Sequence, residues 1–565
     1  MHTALLLTAA LAIAAPVPAA ELPPVVVQVK PVGPLLDNLR AIDKAFASLP
    51  DDVSFDGAIK RWLGEKGFEG LDLKRPITGY LILPKDIQDL DLFGDKGESN
   101  LPLVIVVPVT GESKFLGFLE RIERTAVPVP GRKGLYKLPF HAKSAALLAS
   151  AGGKAESRAL RFHNGYAYVT PESHAAVLDD TDRLIPGDRL AMPDEKALLT
   201  IRIYAERLSL AVRKQLADKI QNALLKPENS LLPDRVGEVV KKAEALGRQI
   251  TARYLAKIPD PDLASVTQRL TFNPETLEVG TELVLTPKPG TALAKEFAAR
   301  EPVTNTFAGL VGKNAIGWLK TSFPPGEPES REILSSLLKE AEKELRDVPE
   351  VARPARDAFL KCVTRTIKTE NVDVAVALNG PDKDGRHAVV GAFTLAGAAD
   401  LDKDFRKACD EMVPPAEKAR VVLDAAKVGT TAIHVYKPGD QAPPWAQAMS
   451  GKDAAVGIAL APTGVYFAYG PDPVAELKAA LAQEPREACV FELVMNPTGV
   501  RKLAATIDQR ATVLADMILD ARDTPVPLIT MGLAGGKELH VRCGINLRLL
   551  FVMSGGRPEP APAKK

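Results

Sequence analysis

Residues 165–172 read Gly-Tyr-Ala-Tyr-Val-Thr-Pro-Glu, and residues 465–472 read Val-Tyr-Phe-Ala-Tyr-Gly-Pro-Asp. Each is a short apolar strand halted by a proline, which has no N–H with which to extend a ladder. A helix-like run follows each acidic residue, HAAVLDD at 174–180 and PVAELKAAL at 473–481. The same order of elements surrounds both stretches. That correspondence predicts a chain built from one large unit copied once, over about 20–300 and 301–555.

Working outward, each half opens on a strand and an amphipathic helix. VVVQVKP precedes Leu35, Leu39, Ile42, Phe46 and Leu49, and AIGWLKTSF precedes Ile333, Leu334, Leu337, Leu338, Ala341 and Leu345. Both sets have the i, i+3, i+4 spacing of a helix with one buried side. Strand pairs come next, ITGYLILP with LPLVIVVPVT against VDVAVALNG with HAVVGAFTLAG, then helices, FLGFLERI against LDKDFRKACDEM. LYKLPF matches AIHVYKP, and ALLTIRIY matches ACVFELVM. Each half closes on a long hairpin, turning at NPET in one and AGGKE in the other. Strand pairs adjacent in sequence point to antiparallel pairing. The expected fold is therefore α+β, an internally duplicated unit of large antiparallel sheets covered on one side by helices. The first half adds a helical hairpin at 205–257, with eleven basic against six acidic side chains, which reads as a solvated face.

The chain has 565 residues, 46% hydrophobic and 25% charged, within the range of globular proteins. A formal net charge of +1 gives no global attraction to nucleic acid, and 5% aromatic content is thin for base stacking. Ala4 to Ala15 form a continuous apolar run followed by Val17-Pro18-Ala19, the pattern of a secretory signal peptide over residues 1–19, although no Lys or Arg precedes the run. No later run reaches the length of a transmembrane helix, so the mature chain is expected to be secreted or periplasmic without a membrane span. Residues 556–565, GRPEPAPAKK, read as a disordered tail.

Motifs for chemistry are sparse. The strand, turn and lysine of LPLVIVVPVTGESKFLG (101–117) outline a phosphate loop, but only Gly111 is present and Ser113 precedes Lys114. The corresponding stretch in the second half lacks the lysine, so a strand end with Thr110 or Ser113 capping a helix is the expected structure. Asp89, Asp91 and Gly94 take calcium-loop positions, but Phe93 and Asn100 fill places that need an oxygen ligand and a bidentate glutamate. Ser336 to Lys339 form an S-x-x-K string without its companion motifs. His141, His163, His174, His387, His434 and His540 are scattered and read as surface or satisfied side chains. Cys362, Cys409, Cys489 and Cys543 lie in the second half at long spacings, their pairing open, and Cys543 falls on the apolar face of its strand. The sequence assigns no catalytic, cofactor-binding or metal-binding residue.

The signal peptide, the Val106–Thr110 strand end and the turns at Gly165–Glu172 and Gly464–Asp472 resemble an uncharacterised family of large exported bacterial proteins of unknown function. That resemblance implies export and no particular activity. Three functions are open: a non-enzymatic binding or structural protein of the envelope, with a protein or ligand partner; a carrier of a lipid or other apolar ligand; and a hydrolase whose site is assembled from distant residues.

Overall fold

A computed structural model describes residues 22–45, 55–82, 103–122, 124–139, 157–192, 197–225, 254–301, 303–323, 353–369, 371–415, 417–496 and 527–548, with single positions at 252 and within 335–350. The chain divides into two compact units at Glu275 and Thr276, where the sequence reading put the boundary near 300. The strand Glu278–Pro287 pairs with Leu539–Asn546 and so belongs to the second unit.

The first unit contains strands β1 (Val25–Val29), β2 (Ile77–Leu81), β3 (Leu103–Pro108), β4 (Val127–Pro128), β5 (Leu135–Leu138), β6 (Arg158–His163), β7 (Tyr166–Pro171), β8 (Ala197–Tyr204) and β9 (Leu263–Asn273). They form an antiparallel sheet in the order β4-β5-β6-β7-β3-β2-β1-β8-β9. Its helices are α1 (Val32–Ala45), α2 (Phe55–Leu63), α3 (Glu112–Arg121) and α4 (Leu210–Leu225). On α1 the predicted apolar face is only half-buried at Leu35, Leu39 and Ile42, while Asn38 is buried; Phe46 and Leu49 lie outside the described residues.

In the second unit the strands are β10 (Glu278–Pro287), β11 (Val303–Asn305), β12 (Ala315–Phe323), β13 (Val372–Asn379), β14 (Ala388–Phe393), β15 (Val421–Val428), β16 (Thr431–Tyr436), β17 (Ala455–Ala461), β18 (Gly464–Gly470), β19 (Arg486–Ala488), β20 (Phe491–Met495), β21 (Ile529–Ala534) and β22 (Leu539–Asn546). The main sheet is again antiparallel, ordered β15-β16-β17-β18-β14-β13-β12-β20-β21-β22-β10, with β11 and β19 paired apart. Read from the edge strand, the first nine places of this sheet repeat the strand order of the first unit. Thr281 of β10 sits opposite Cys543 of β22. Helices α5 (Arg353–Thr369), α6 (Leu401–Met412) and α7 (Pro473–Leu481) accompany this sheet. The predicted helix through Ile333 to Leu345 lies mostly outside the described residues, and so do the second helix of the 205–257 hairpin over 226–251 and the helix from Val500 to Leu514.

Both sheets are covered on two faces in their β5–β7 and β16–β18 regions, not on one. In the first unit Leu138, Leu160 and Ala167 pack with Phe115 and Leu119 of α3. On the other face Tyr166, Tyr168 and Val104 pack with Leu178, Ile185 and Leu190, from the irregular segment after β7. In the second unit Val465 and Leu460 meet Leu401 of α6 and Phe359 of α5. Ala459, Ala468 and Ile433 meet Leu477 of α7 on the opposite face. The physical reason is visible in the strands: β7 and β18 bury nearly every residue, so neither can leave a face to water.

The run after β7 is a 3₁₀ helix, Glu172–Leu178, where the sequence suggested the counterpart of α7. Pro171 stands at its N-cap and offers no side-chain acceptor. Asp472 caps α7 by accepting from the Ala475 N–H at 2.9 Å, and Pro473 presets the first helical turn. One residue type at the cap accompanies the difference between the two coverings.

Candidate functional site: a polar cleft on the second unit

A cleft of about 780 Å³ opens on the second unit between the 309–314 loop, the turn joining β13 to β14, and the start of α7. The Asp472 cap and Pro473 begin α7 at its lip, and one turn later Glu476 stands on the wall. Glu476 Oε2 accepts from Asn379 Nδ2 at 3.1 Å. A carboxylate can only accept, so this bond fixes which end of the amide is which. The other end, Asn379 Oδ1, is buried and has no hydrogen-bond partner among the described residues. An orphaned buried acceptor costs about 1–3 kcal/mol, which a donor entering the cleft would recover.

The opposite wall is built by the Asp-Lys-Asp-Gly turn. Asp382 Oδ1 accepts from the backbone N–H groups of Arg386 at 2.8 Å and Asp384 at 2.9 Å. The Arg386 guanidinium bridges Asp382, Asp384 and Asp453. The Arg386 N–H holds the Asp382 carboxyl below the usual range against the opposing effect of burial, with the Asp384 N–H and the guanidinium adding to it. Asp382 therefore stays anionic, its charge committed to the turn. His387 is fully buried beneath this wall, and His434 is buried as well, with both ring nitrogens hydrogen-bonded, which makes it one of the satisfied histidines the sequence reading allowed.

Two cations complete the cleft. Lys313 and Arg486 are exposed on its lining and form no ion pair among the described residues. The lining contains no Ser, Thr or Cys.

A second polar cluster in this unit does structural work. His434 Nε2 lies 2.7 Å from Asp402 Oδ1, and His434 Nδ1 accepts from the Asp424 N–H at 3.2 Å. The backbone donor makes Nδ1 an acceptor, which leaves Nε2 to donate to Asp402. Burial opposes ionisation of Asp402, but its bonds to Arg406 and His434 outweigh that and keep its carboxyl low. Arg406 also forks onto both oxygens of Asp424 at 2.6 and 2.8 Å, holding that carboxyl down to about 2. Asp424 has φ +56° and lies where the register of β15 and β16 shifts between Val422 and Ala426.

The sequence motifs resolve as follows. The N-cap of α3 is Gly111 with no side-chain cap, correcting the expectation of Thr110 or Ser113. Gly70 packs so tightly on this turn that a Cβ there would lie 2.5 Å from the Lys114 carbonyl oxygen. Lys114 is exposed and pairs with Glu69 at 4.0 Å. The Asp89, Asp91 and Gly94 loop, His141, and Ser336 of the S-x-x-K string lie outside the described residues. All four cysteines are half-buried, so Cys543 is a margin residue and not part of the tight core. Sequence reading missed the cleft because its cations and amide lie far apart along the chain and form no motif. The one local signal was the Pro-Asp-Pro at 471–473, which marks where α7 starts.

Comparison with known proteins gives no match to a family model, a curated relative or a solved structure.

Proposed function

We propose that the chain is an exported, non-enzymatic binding protein, and that the cleft on its second unit takes a small polar ligand. The observation that carries this reading is the orphaned Asn379 oxygen in one cleft with Lys313 and Arg486, two cations that form no ion pair among the described residues. A ligand suited to it carries an anionic group for the cations and an N–H or O–H donor for the amide oxygen. Export rests on the apolar run of residues 4–15 and the small residues after it. The recurring strand order supports the reading of the chain as one unit copied once.

The other readings have less support. A carrier of apolar ligands calls for a cavity without charged walls, whereas this cleft sets Lys313, Asp382, Arg386, Glu476 and Arg486 among apolar residues such as Leu310, Val311 and Val390. A hydrolase calls for a nucleophile or a proton-sharing carboxylate, and Asp382 is held ionised by its donors.

Equilibrium dialysis of the purified protein against a pool of dicarboxylates, sugar phosphates and short peptides, read by mass spectrometry, tests the proposal. Retention of an anionic compound by the wild type, and its loss in the Lys313→Glu, Arg486→Glu variant, is the expected outcome. If nothing is retained, or if the charge-reversed variant retains the same compound equally well, the cleft is not a binding site.

A further inference from the structure

We propose that the ligand of the cleft is a zwitterion, an amino acid or a short peptide, held with its ammonium group inward and its carboxylate at the mouth. This inference rests on the reading of the cleft as a binding site, and adds the chemical class and orientation of what it binds. The charges of the lining sort by what already satisfies them. Arg386 is engaged by Asp382, Asp384 and Asp453, and Asp472 caps α7. Glu476, Lys313 and Arg486 remain, and none of them forms an ion pair among the described residues. Glu476 is half-buried, and its bond to Asn379 is to a neutral amide. A carboxylate partly withdrawn from water without a counter-charge calls for a cation. Asn379 Oδ1, on the same amide, is a second acceptor next to it. An ammonium group has three donors and a positive charge, so one group serves both acceptors. A hydroxyl has one donor and leaves the carboxylate uncompensated.

Burial gives the orientation. The acceptors are the shielded pole, since Glu476 is half-buried and Asn379 Oδ1 is buried, whereas Lys313 and Arg486 are exposed. The 309–314 loop joins the two poles. At one end Gly309 lies against the segment leading to Arg486, where a Cβ would stand 2.5 Å from the Glu484 carbonyl oxygen. At the other end the Asn314 carbonyl accepts from the Gly380 N–H at 3.1 Å, one residue beyond Asn379. Lys313 is therefore carried on a loop pinned at both ends. A pair between exposed charges contributes little, and a pair with a half-buried carboxylate contributes more. The amine accordingly dominates affinity, and the carboxylate end can continue into solvent as a peptide would. A volume of about 780 Å³ is in the range of small-ligand sites.

The test is equilibrium dialysis of the full chain against the proteinogenic amino acids and a mixed tripeptide library, read by mass spectrometry. Each compound is run beside its N-acetylated and C-amidated forms, with glutarate as the anion that has no amine. N-acetylation should weaken retention at least about tenfold. C-amidation should weaken it about two- to fivefold, an effect that shrinks in added salt. Glu476→Gln keeps an oxygen for Asn379 Nδ2 and removes the charge, so it should weaken retention of the free amines at least about tenfold with an unchanged urea midpoint. Tripeptides retained without amino acids mark a peptide site, and retention of both marks an amino-acid site open to extension. Free amines retained unchanged by Glu476→Gln overturn the inference. N-acetylated compounds retained as firmly as free ones, or glutarate retained with no amino compound, overturn it too, and the cleft stands as a binding site if Lys313→Glu with Arg486→Glu abolishes that retention. Retention of nothing overturns both readings.

Discussion

The two units run their strands in the same order and fill the space above them in opposite ways. In the first, large side chains rise from the sheet, and Tyr80, Tyr166 and Tyr168 are all buried. What covers them is an irregular segment, and Gly187 passes so close that a Cβ would lie 2.6 Å from the Tyr166 ring. In the second, the corresponding face is built largely from alanine, including Ala375, Ala377, Ala392, Ala459 and Ala468. Small residues let a regular helix, α7, come down onto the strands, and a Cβ on Gly457 would meet Leu477 at 2.7 Å and Pro473 at 3.0 Å. Side-chain volume on the sheet and the regularity of its cover are two views of one packing decision.

The opposite faces differ more subtly. In the first unit the Tyr136 hydroxyl on β5 donates to Glu112, in the first turn of α3, at 2.5 Å. In the second, His434 on β16 bonds Asp402, in the first turn of α6. A strand-to-helix polar staple is common to both, and its chemistry has changed.

Removing volume from the first unit should break the comparison most severely. Tyr168→Ala is expected to cost about 3–5 kcal/mol in urea unfolding. Tyr168→Phe should cost almost nothing, because the buried hydroxyl has no partner to lose among the described residues. A large effect of the phenylalanine variant would show that the hydroxyl is satisfied.

Alkaline unfolding should also single out the first unit. Burial pushes the Tyr80 phenol up to about 12, and burial raises Tyr168 too. A raised folded value means the stability is intact below about 10 and lost as pH climbs toward 12, by about 2–3 kcal/mol for Tyr80. Tyr80→Phe should remove that part of the alkaline loss, measured as the dependence of the denaturation midpoint on pH.

Adding volume to the second unit is the converse test. Ala459 is fully buried under α7, so Ala459→Leu should destabilise by about 1–3 kcal/mol. A neutral result would mean that α7 can lift. A smaller loss, about 1 kcal/mol, is expected for Asp472→Ala, which removes the cap that starts α7. The smallest effect belongs to Lys114→Ala, under about 0.5 kcal/mol, since its pair with Glu69 is exposed. Nucleotide binding that depended on Lys114 would contradict this reading of the turn.

Much of the sheet architecture was legible because apolar runs of strand length are bounded by turns that can be read locally. Ile77–Leu81 with Leu103–Pro108, and Val372–Asn379 with Ala388–Phe393, appear as strands in sequence and pair in the structure. Covering on both faces was harder to see, because alanine in β17 and β18 carries little hydropathy signal even when fully buried. Helix α5 escaped because its sequence, RPARDAFLKCVTRTIKT, is dominated by polar residues and its apolar stripe is narrow. The cap of α3 was misread because Thr110 and Ser113 have the right chemistry, but the chain conformation places Gly111 at the cap. Nothing local distinguishes Asn379 or Arg486 from ordinary surface residues. Their meaning comes from tertiary placement alone.

Strand β15 ends one side of the second unit's sheet with the distortion at Asp424 already noted. A non-glycine residue at φ +56° stores about 1–3 kcal/mol of strain, and Arg406 and His434 hold it in place. A bent border interrupts the row of N–H and C=O groups that another chain would need in order to zip on. On the first unit, β4 is only two residues long and one of them is Pro128. At these two borders the molecule discourages fibre-like stacking without any charge pattern spread along the strand. Whatever associates with either unit is thereby directed away from these margins and toward surfaces formed by side chains.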